Sequence, residues 1–321
     1  MAWLLNQEYT FMFDGIWDMI EPLLPIPQRD KNRTYKRAPL AGRKRFPLRI
    51  IFDTILWVLM SGAPWKSVRS GYADGRTFCS GSTAHRWHMC WSREGVYSSL
   101  WALFLRILQT KYGLQLTWVS GDGTLYKAPL ALSCQDVGRN PTDRGKHGTK
   151  RMVLTDATGV PIAIWHAPAN VHDSQLLADL LKNLMVTLDP DEVHHLLLDA
   201  AFLGSTCDEV AREAGFVPHV RPRGEEKSEK QRNPLYKARR WVVERTHSWM
   251  NNFRKLKVRY EKTTVSHAGL SAFAAGMITL RTMFRRGEGL TPWLKGHRQM
   301  IHENYLDVGS RIMEVAAGFS R

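Results

Sequence analysis

From residue 114 onward, short apolar runs alternate with amphipathic ones, and this alternation constrains the fold more than any other feature of the chain. "LTWVSGDGT" reads as a short strand running into a Gly-rich turn. "KRMVLTDATGVPIAIWHAPA" reads as two strands joined by a turn at Ala157, Thr158 and Gly159. "SQLLADLLKNLMVTL" has helical spacing, "HHLLLDAAF" is a strand, and "STCDEVAREAG" is a helix ending at Gly215. "FVPHVRPR" is a further strand, and the run from Lys237 to about Leu256 is a helix. Strands followed by alternating helix and strand call for a mixed sheet flanked by helices, so the expected fold class is α/β.

The preceding region, 1–113, reads as helical. "DGIWDMIEPLLP" has helical spacing and stops at Pro25. A basic linker follows at 29–45 and includes Arg43, Lys44 and Arg45; it is either a solvated loop or an arm that contacts phosphates. "PLRIIFDTILWVLMSGAPW" is a core helix opening at Pro47 and ending near Gly62. "STAHRWHMCWSREG" is a shorter helix with Ser82 or Thr83 as N-cap, and "VYSSLWALFLRILQTKYG" is a helix closed by Gly113. Arg86, His88 and Arg93 on the later helix suit a helix-turn-helix, although small bundles that bind no DNA share the pattern. The expected organisation is a helical domain over 1–113 and an α/β domain over 114–260. C-terminal helices over 261–321 complete or pack on the latter.

The chain has 321 residues, enough for about two domains. Its formal net charge of +15 speaks to partners, with nucleic acid first and acidic membrane surfaces second. "LRIIFDTILWVLM" is the nearest approach to a membrane span, and Arg49 and Asp53 interrupt it. The N-terminus lacks a basic leader region and a small-residue cleavage site. Cys79, Cys90, Cys134 and Cys207 form no CxxC pair and fit no zinc spacing, so they read as reduced thiols of a cytoplasmic protein.

Two strand-like runs end on acids. Asp122 closes "LTWVSGD" and Asp199 closes "HHLLLD", each followed by small residues. Burying an ionised carboxylate is costly unless it is compensated. In open α/β sheets, sites gather outside strand ends. Two such acids side by side would repel, and a hard divalent cation such as Mg²⁺ or Mn²⁺ would neutralise them. The plainer reading of each is a cap or turn residue. A third acid, Glu244, lies roughly opposite the helical stripe Val242, Trp249, Phe253 and Leu256. It can serve as a metal ligand or as an i,i+4 ion-pair partner of Arg240. Asp173 reads as an N-cap, and His194-His195 as a strand-entry pair. Trp65, Trp87 and Trp91 read as core residues, with base stacking as the alternative.

The blocks "GDGT", "NPTDRGKHGTKRMVLTDATGVPI", "ANVHDS", "LLLDAAF" and "RRWVVERTHSWMNNFRKLKVRYEK" together resemble insertion-sequence transposases of the IS5 family, and "PLRIIFDTILWVLMSGAPWKSV" resembles their N-terminal part. The resemblance covers about 40–285 and implies the DDE class on an RNase H-like fold. It makes Asp122, Asp199 and Glu244 the catalytic, metal-binding triad, at spacings of 199 − 122 = 77 and 244 − 199 = 45. The family's Arg four before the Glu matches Arg240. Its Tyr seven before falls on Lys237, beside Tyr236, and its basic residue seven after falls on Asn251. Arg254 and Lys255 follow one turn later.

The resemblance further implies two Mg²⁺ or Mn²⁺ ions, cleavage at transposon ends, and transfer of the freed 3′-hydroxyl into target DNA. The implied partners are double-stranded DNA, at terminal inverted repeats and target, and a homodimer or larger assembly on that DNA. No membrane partner is implied; the setting is the bacterial cytoplasm, at the nucleoid. Lys146, Lys150 and Arg151 in "GKHGTKR" are further candidate phosphate contacts, alongside Arg43, Lys44, Arg45, Arg86, Arg240, Arg254 and Lys255. The competing readings are an RNase H-like nuclease without strand transfer and a catalytically silent DNA-binding derivative.

Overall fold

The computed structural model describes residues 16–25, 34, 44–73, 76–131, 134–220 and 241–287. Helical residues 16–20 run into a 3-10 turn at Glu21–Leu23. Helix α1 is Leu48–Ser61, with Pro47 before it and Gly62 in the left-handed region after it, as the sequence leads one to expect. A small hairpin of β1 (Gly71–Ala73) and β2 (Arg76–Phe78) follows, where the sequence reads only as loop. Helix α2, Gly81–Arg93, is capped by Ser80, whose hydroxyl accepts from the Thr83 N–H; neither Ser82 nor Thr83 is the cap. Helix α3 is Val96–Tyr112, closed by Gly113.

The main sheet is built from β3 (Trp118–Lys127), β4 (Gly138–Arg139), β5 (His147–Thr155), β6 (Pro161–Pro168), β7 (His194–Leu198) and β8 (Phe216–Val220). Its order is β4-β5-β3-β7-β8, with β6 on the outer side of β5. β3, β5 and β6 are antiparallel neighbours, whereas β7 and β8 run parallel to β3. Between β6 and β7 lie a 3-10 turn, Asp173–Leu176, and helix α4, Leu177–Lys182, far shorter than the helical run expected there. Helix α5, Ser205–Glu213, joins β7 to β8. Helix α6 is Trp241–Asn252, and a 3-10 turn at Arg254–Leu256 precedes helix α7, Thr264–Arg286. No described helix is long and apolar enough to cross a membrane. Residues 221–240 and the part of the expected C-terminal helices beyond residue 287 lie outside the described residues.

α4 and α5 cover one face of the sheet, and α6 and α7 cover the other. This mixed sheet between helix layers is the expected α/β, RNase H-like architecture. The N-terminal helices share its core. Phe273 of α7 packs edge-on against Phe52 of α1, centroids 5.0 Å apart, and stacks on Tyr97 of α3 at 4.8 Å. Trp101 donates its indole N–H to the Pro161 carbonyl at 3.1 Å.

One correction bears on the site. "GDG" is no turn: β3 runs straight through it, so Asp122 sits mid-strand. The glycines are there for closeness. A Cβ on Gly121 would lie 2.9 Å from Leu198 Cδ2, and one on Gly123 would lie 2.8 Å from Met152 Sδ.

Candidate active site

The pairing of β3 with β7 runs towards Asp122 and Asp199 and ends at Ser120↔Leu197. β3 and β7 pair in parallel as Trp118↔His195, Val119↔Leu196 and Ser120↔Leu197, an offset of 195 − 118 = 77. The offset between Asp122 and Asp199 is also 199 − 122 = 77. Asp199 keeps extended backbone (φ −83°, ψ 175°) as β7 gives way to the 3-10 turn Ala200–Phe202, so strand alternation carries through it. Continued two residues past Ser120↔Leu197, this register puts the two acids at matched positions on one face of the sheet. Asp199 also fulfils the capping role expected of a strand-end Asp, since its Oδ1 accepts from the Ala201 N–H at 2.8 Å.

α6 lies over this face. Thr246 Oγ1 donates to the Gly159 carbonyl at 2.7 Å and Arg245 Nη2 donates to the Thr158 carbonyl at 2.6 Å, fastening the helix to the β5–β6 turn. The Arg245 guanidinium sits between the Trp241 and Trp249 rings, at 4.6 and 4.7 Å. Val242, Val243, Thr246, His247 and Met250 are buried by this docking. His247 Nε2 lies 3.8 Å from Asp122 Oδ2. Burial, and next the nearby Arg151 charge, push the His247 pKa down to about 3, so the imidazole beside Asp122 is neutral at physiological pH. Glu244 is exposed and lies three residues before His247, about 4.5 Å along the helix axis.

The candidate donors are Asp122 in β3, Asp199 at the end of β7 and Glu244 on the covering helix. Their all-oxygen chemistry suits a hard divalent cation. Among the described residues, no three His, Cys, Asp or Glu side chains already converge on a point that could hold a metal ion.

Three of the candidate phosphate contacts, Lys150, Arg151 and Lys255, have buried side chains and do not face solvent. Lys150 donates to the Val171 carbonyl at 2.6 Å and pairs with Asp173. Arg151 is fully buried, and its Nη2 donates to Asn251 Oδ1 at 3.1 Å. Lys255 is buried and lies 3.2 Å from the Ala63 carbonyl, 3.4 Å from Glu261 Oε1 and over the Trp65 ring. β5 is buried on both faces, and that is why neither side of its "KR" pair reaches solvent. Lys44, Arg45, Arg86, Lys146 and Arg254 are exposed, whereas Arg43 and Arg240 lie outside the described residues. His88 is buried between Tyr97 and Ser266, which removes it from any DNA-reading face. Trp87 and Trp91 are core residues, and Trp65 stacks on His88 at 5.3 Å.

Asp173 is not the cap of its turn; the His172 ring accepts the Ser174 N–H instead, at 3.4 Å. His194 is buried between the Leu116 and Asp189 carbonyls, whereas His195 stacks on Trp118 at 4.3 Å, so the two point apart. Sequence reasoning missed the approach of His247 to Asp122 and the Arg151–Asn251 bond. The strand alternation of β5 carried the only signal for the latter.

The family model described as "Transposase DDE domain" matches residues 119–275, and one described as "Putative transposase of IS4/5 family" matches 12–101. The chain is 31% identical over 159 residues to the "Putative transposase for insertion sequence element IS402" of Burkholderia cepacia, spanning 48% of this chain and 72% of that protein. It is 28% identical over 128 residues to the "Insertion element IS402 uncharacterized 16.2 kDa protein" of the same organism, spanning 40% and 79%. These matches make the chain a member of the DDE-domain transposases of IS4/5-type insertion sequences.

Proposed function

We propose that the chain hydrolyses DNA at the ends of its insertion sequence and joins the freed 3′-hydroxyl to target DNA, with Asp122, Asp199 and Glu244 as the metal-holding residues. The observation that carries this reading is the shared offset of 77, which matches the two aspartates across β3 and β7. Mg²⁺ or Mn²⁺ ions, when bound, supply an activated water or 3′-hydroxyl and stabilise the leaving oxygen. Asp122 and Asp199 present carboxylate oxygens from rigid strands, and the Ala201 N–H fixes the orientation of Asp199. Neutral His247 walls one side of Asp122 without competing as a cation. Glu244, exposed at the helix surface, closes the donor set from the DNA side.

Exposed cations contact DNA phosphates: Lys44, Arg45, Arg86, Lys146 and Arg254 as the sequence suggests, with Arg144 and Lys257 in addition. Residues 1–113 serve DNA binding, 114–260 carry catalysis, and 261–321 support the catalytic part. Synapsis of two DNA ends calls for a homodimer or larger assembly, acting at the nucleoid.

D122N, D199N and E244Q are each expected to abolish end cleavage and joining while leaving end binding largely intact, as read by gel shift and by product analysis on a supercoiled donor plasmid. Full strand transfer by any of the three would contradict the assignment. Cut ends without joined product in the wild type would reduce the activity to hydrolysis alone.

A further inference from the structure

Arg151 and Arg259 are both fully buried guanidinium groups near the α6–α7 face of the sheet, but they are treated differently. Arg259 Nη1 pairs with Asp136 Oδ2 at 2.5 Å and bonds Thr149 Oγ1 at 3.0 Å. Among the described residues, Arg151 has one hydrogen bond, to the neutral amide of Asn251, and its Nε and Nη1 have no hydrogen-bond partner. Its guanidinium lies 5.6 Å from the Tyr126 ring centroid. A buried cation without a carboxylate is costly, and the fold retains one here.

Its place suggests why. Arg151 pairs across the sheet with Thr124, and Val153, two residues on, pairs with Asp122. Arg151 and Asp122 therefore share a face on adjacent strands, one diagonal step apart. Its field reaches His247, the residue in contact with Asp122.

We propose that Arg151, held by Asn251, is a positioning residue that sets the divalent-ion affinity of the Asp122–Asp199 pair. As a fixed buried charge it relieves the repulsion between the two carboxylates when no ion is present. It also opposes an incoming dication, so that firm metal binding awaits the negative charge of a DNA phosphate. The inference rests on the metal-site reading above.

The test is Mn²⁺ titration of the full chain without DNA, by calorimetry, for the wild type, R151M, R151K, N251D and D122N. R151M removes the charge, whereas N251D keeps it and pairs it with a carboxylate. Both are expected to tighten Mn²⁺ binding by about tenfold, with R151K close to the wild type. If Arg151 only fastened α6 to the sheet, R151M would instead weaken binding. Unchanged or weaker binding in R151M and N251D, with D122N still abolishing it, overturns the inference. N251D and R151K keep the test decisive should R151M fail to fold. Wild-type Mn²⁺ binding that D122N leaves intact would remove the metal-site reading itself.

Discussion

At the scale of single residues, the chain keeps several histidines neutral inside its core. Burial pushes His88 down to about 4 and His166 to about 3. Such groups bind protons in the unfolded chain below about pH 6.5 but resist them in the folded one, so stability rises with pH across that window. As pH falls from 7 to 5, each is expected to cost about 2 kcal/mol of stability. Urea unfolding at the two pH values, repeated with H166Q, checks this; a flat profile in the wild type would contradict it. The acids of the site were legible as residues, since Asp122, Asp199 and Glu244 stand out by context. Their pairing was not, because the meaning of 77 depends on knowing that β3 and β7 are adjacent and parallel. Gly121 and Gly123 misled for a physical reason: glycine marks turns by its freedom, but here it admits Leu198 and Met152 to close approach.

At the scale of elements, α6 and the turn after it divide their cations between two tasks. Lys255 is buried against Glu261, whereas its neighbour Arg254 is exposed. K255A is expected to cost about 3–5 kcal/mol by leaving Glu261 buried and unpaired. R254A is expected to leave stability within about 0.5 kcal/mol and to weaken DNA binding, with a salt-dependence slope smaller by about one. Denaturant melts and gel shifts at several salt concentrations separate the two; similar behaviour of both variants would contradict the division. Helix ends marked by Pro47, Gly62 and Gly113 were legible because each punctuates the backbone directly. α4 was overread because a leucine-rich run fits a core helix of any length. Asn183 ends it after six residues.

At the scale of the whole molecule, the N-terminal helices and the sheet form one packed body, joined through Phe52, Tyr97, Trp101 and Phe273. A polar link runs the same way: Trp65 donates to Glu261 Oε1 at 3.0 Å, and Ser266 bridges Glu261 and His88. DNA meeting the exposed cations of the N-terminal helices would thus meet the same packed body that carries the acids. Composition could announce a DNA partner through the net charge of +15, but not which cations face it, since burial of Lys150, Arg151 and Lys255 depends on tertiary packing. The account turns on Asp122, Asp199 and Glu244 acting as one metal-holding set. Anomalous diffraction from the protein crystallised with transposon-end DNA and Mn²⁺ measures that most directly. The expected result is manganese within about 2 Å of carboxylate oxygens of all three residues. Manganese bound elsewhere, or held by the aspartates with Glu244 still turned to solvent, would contradict it.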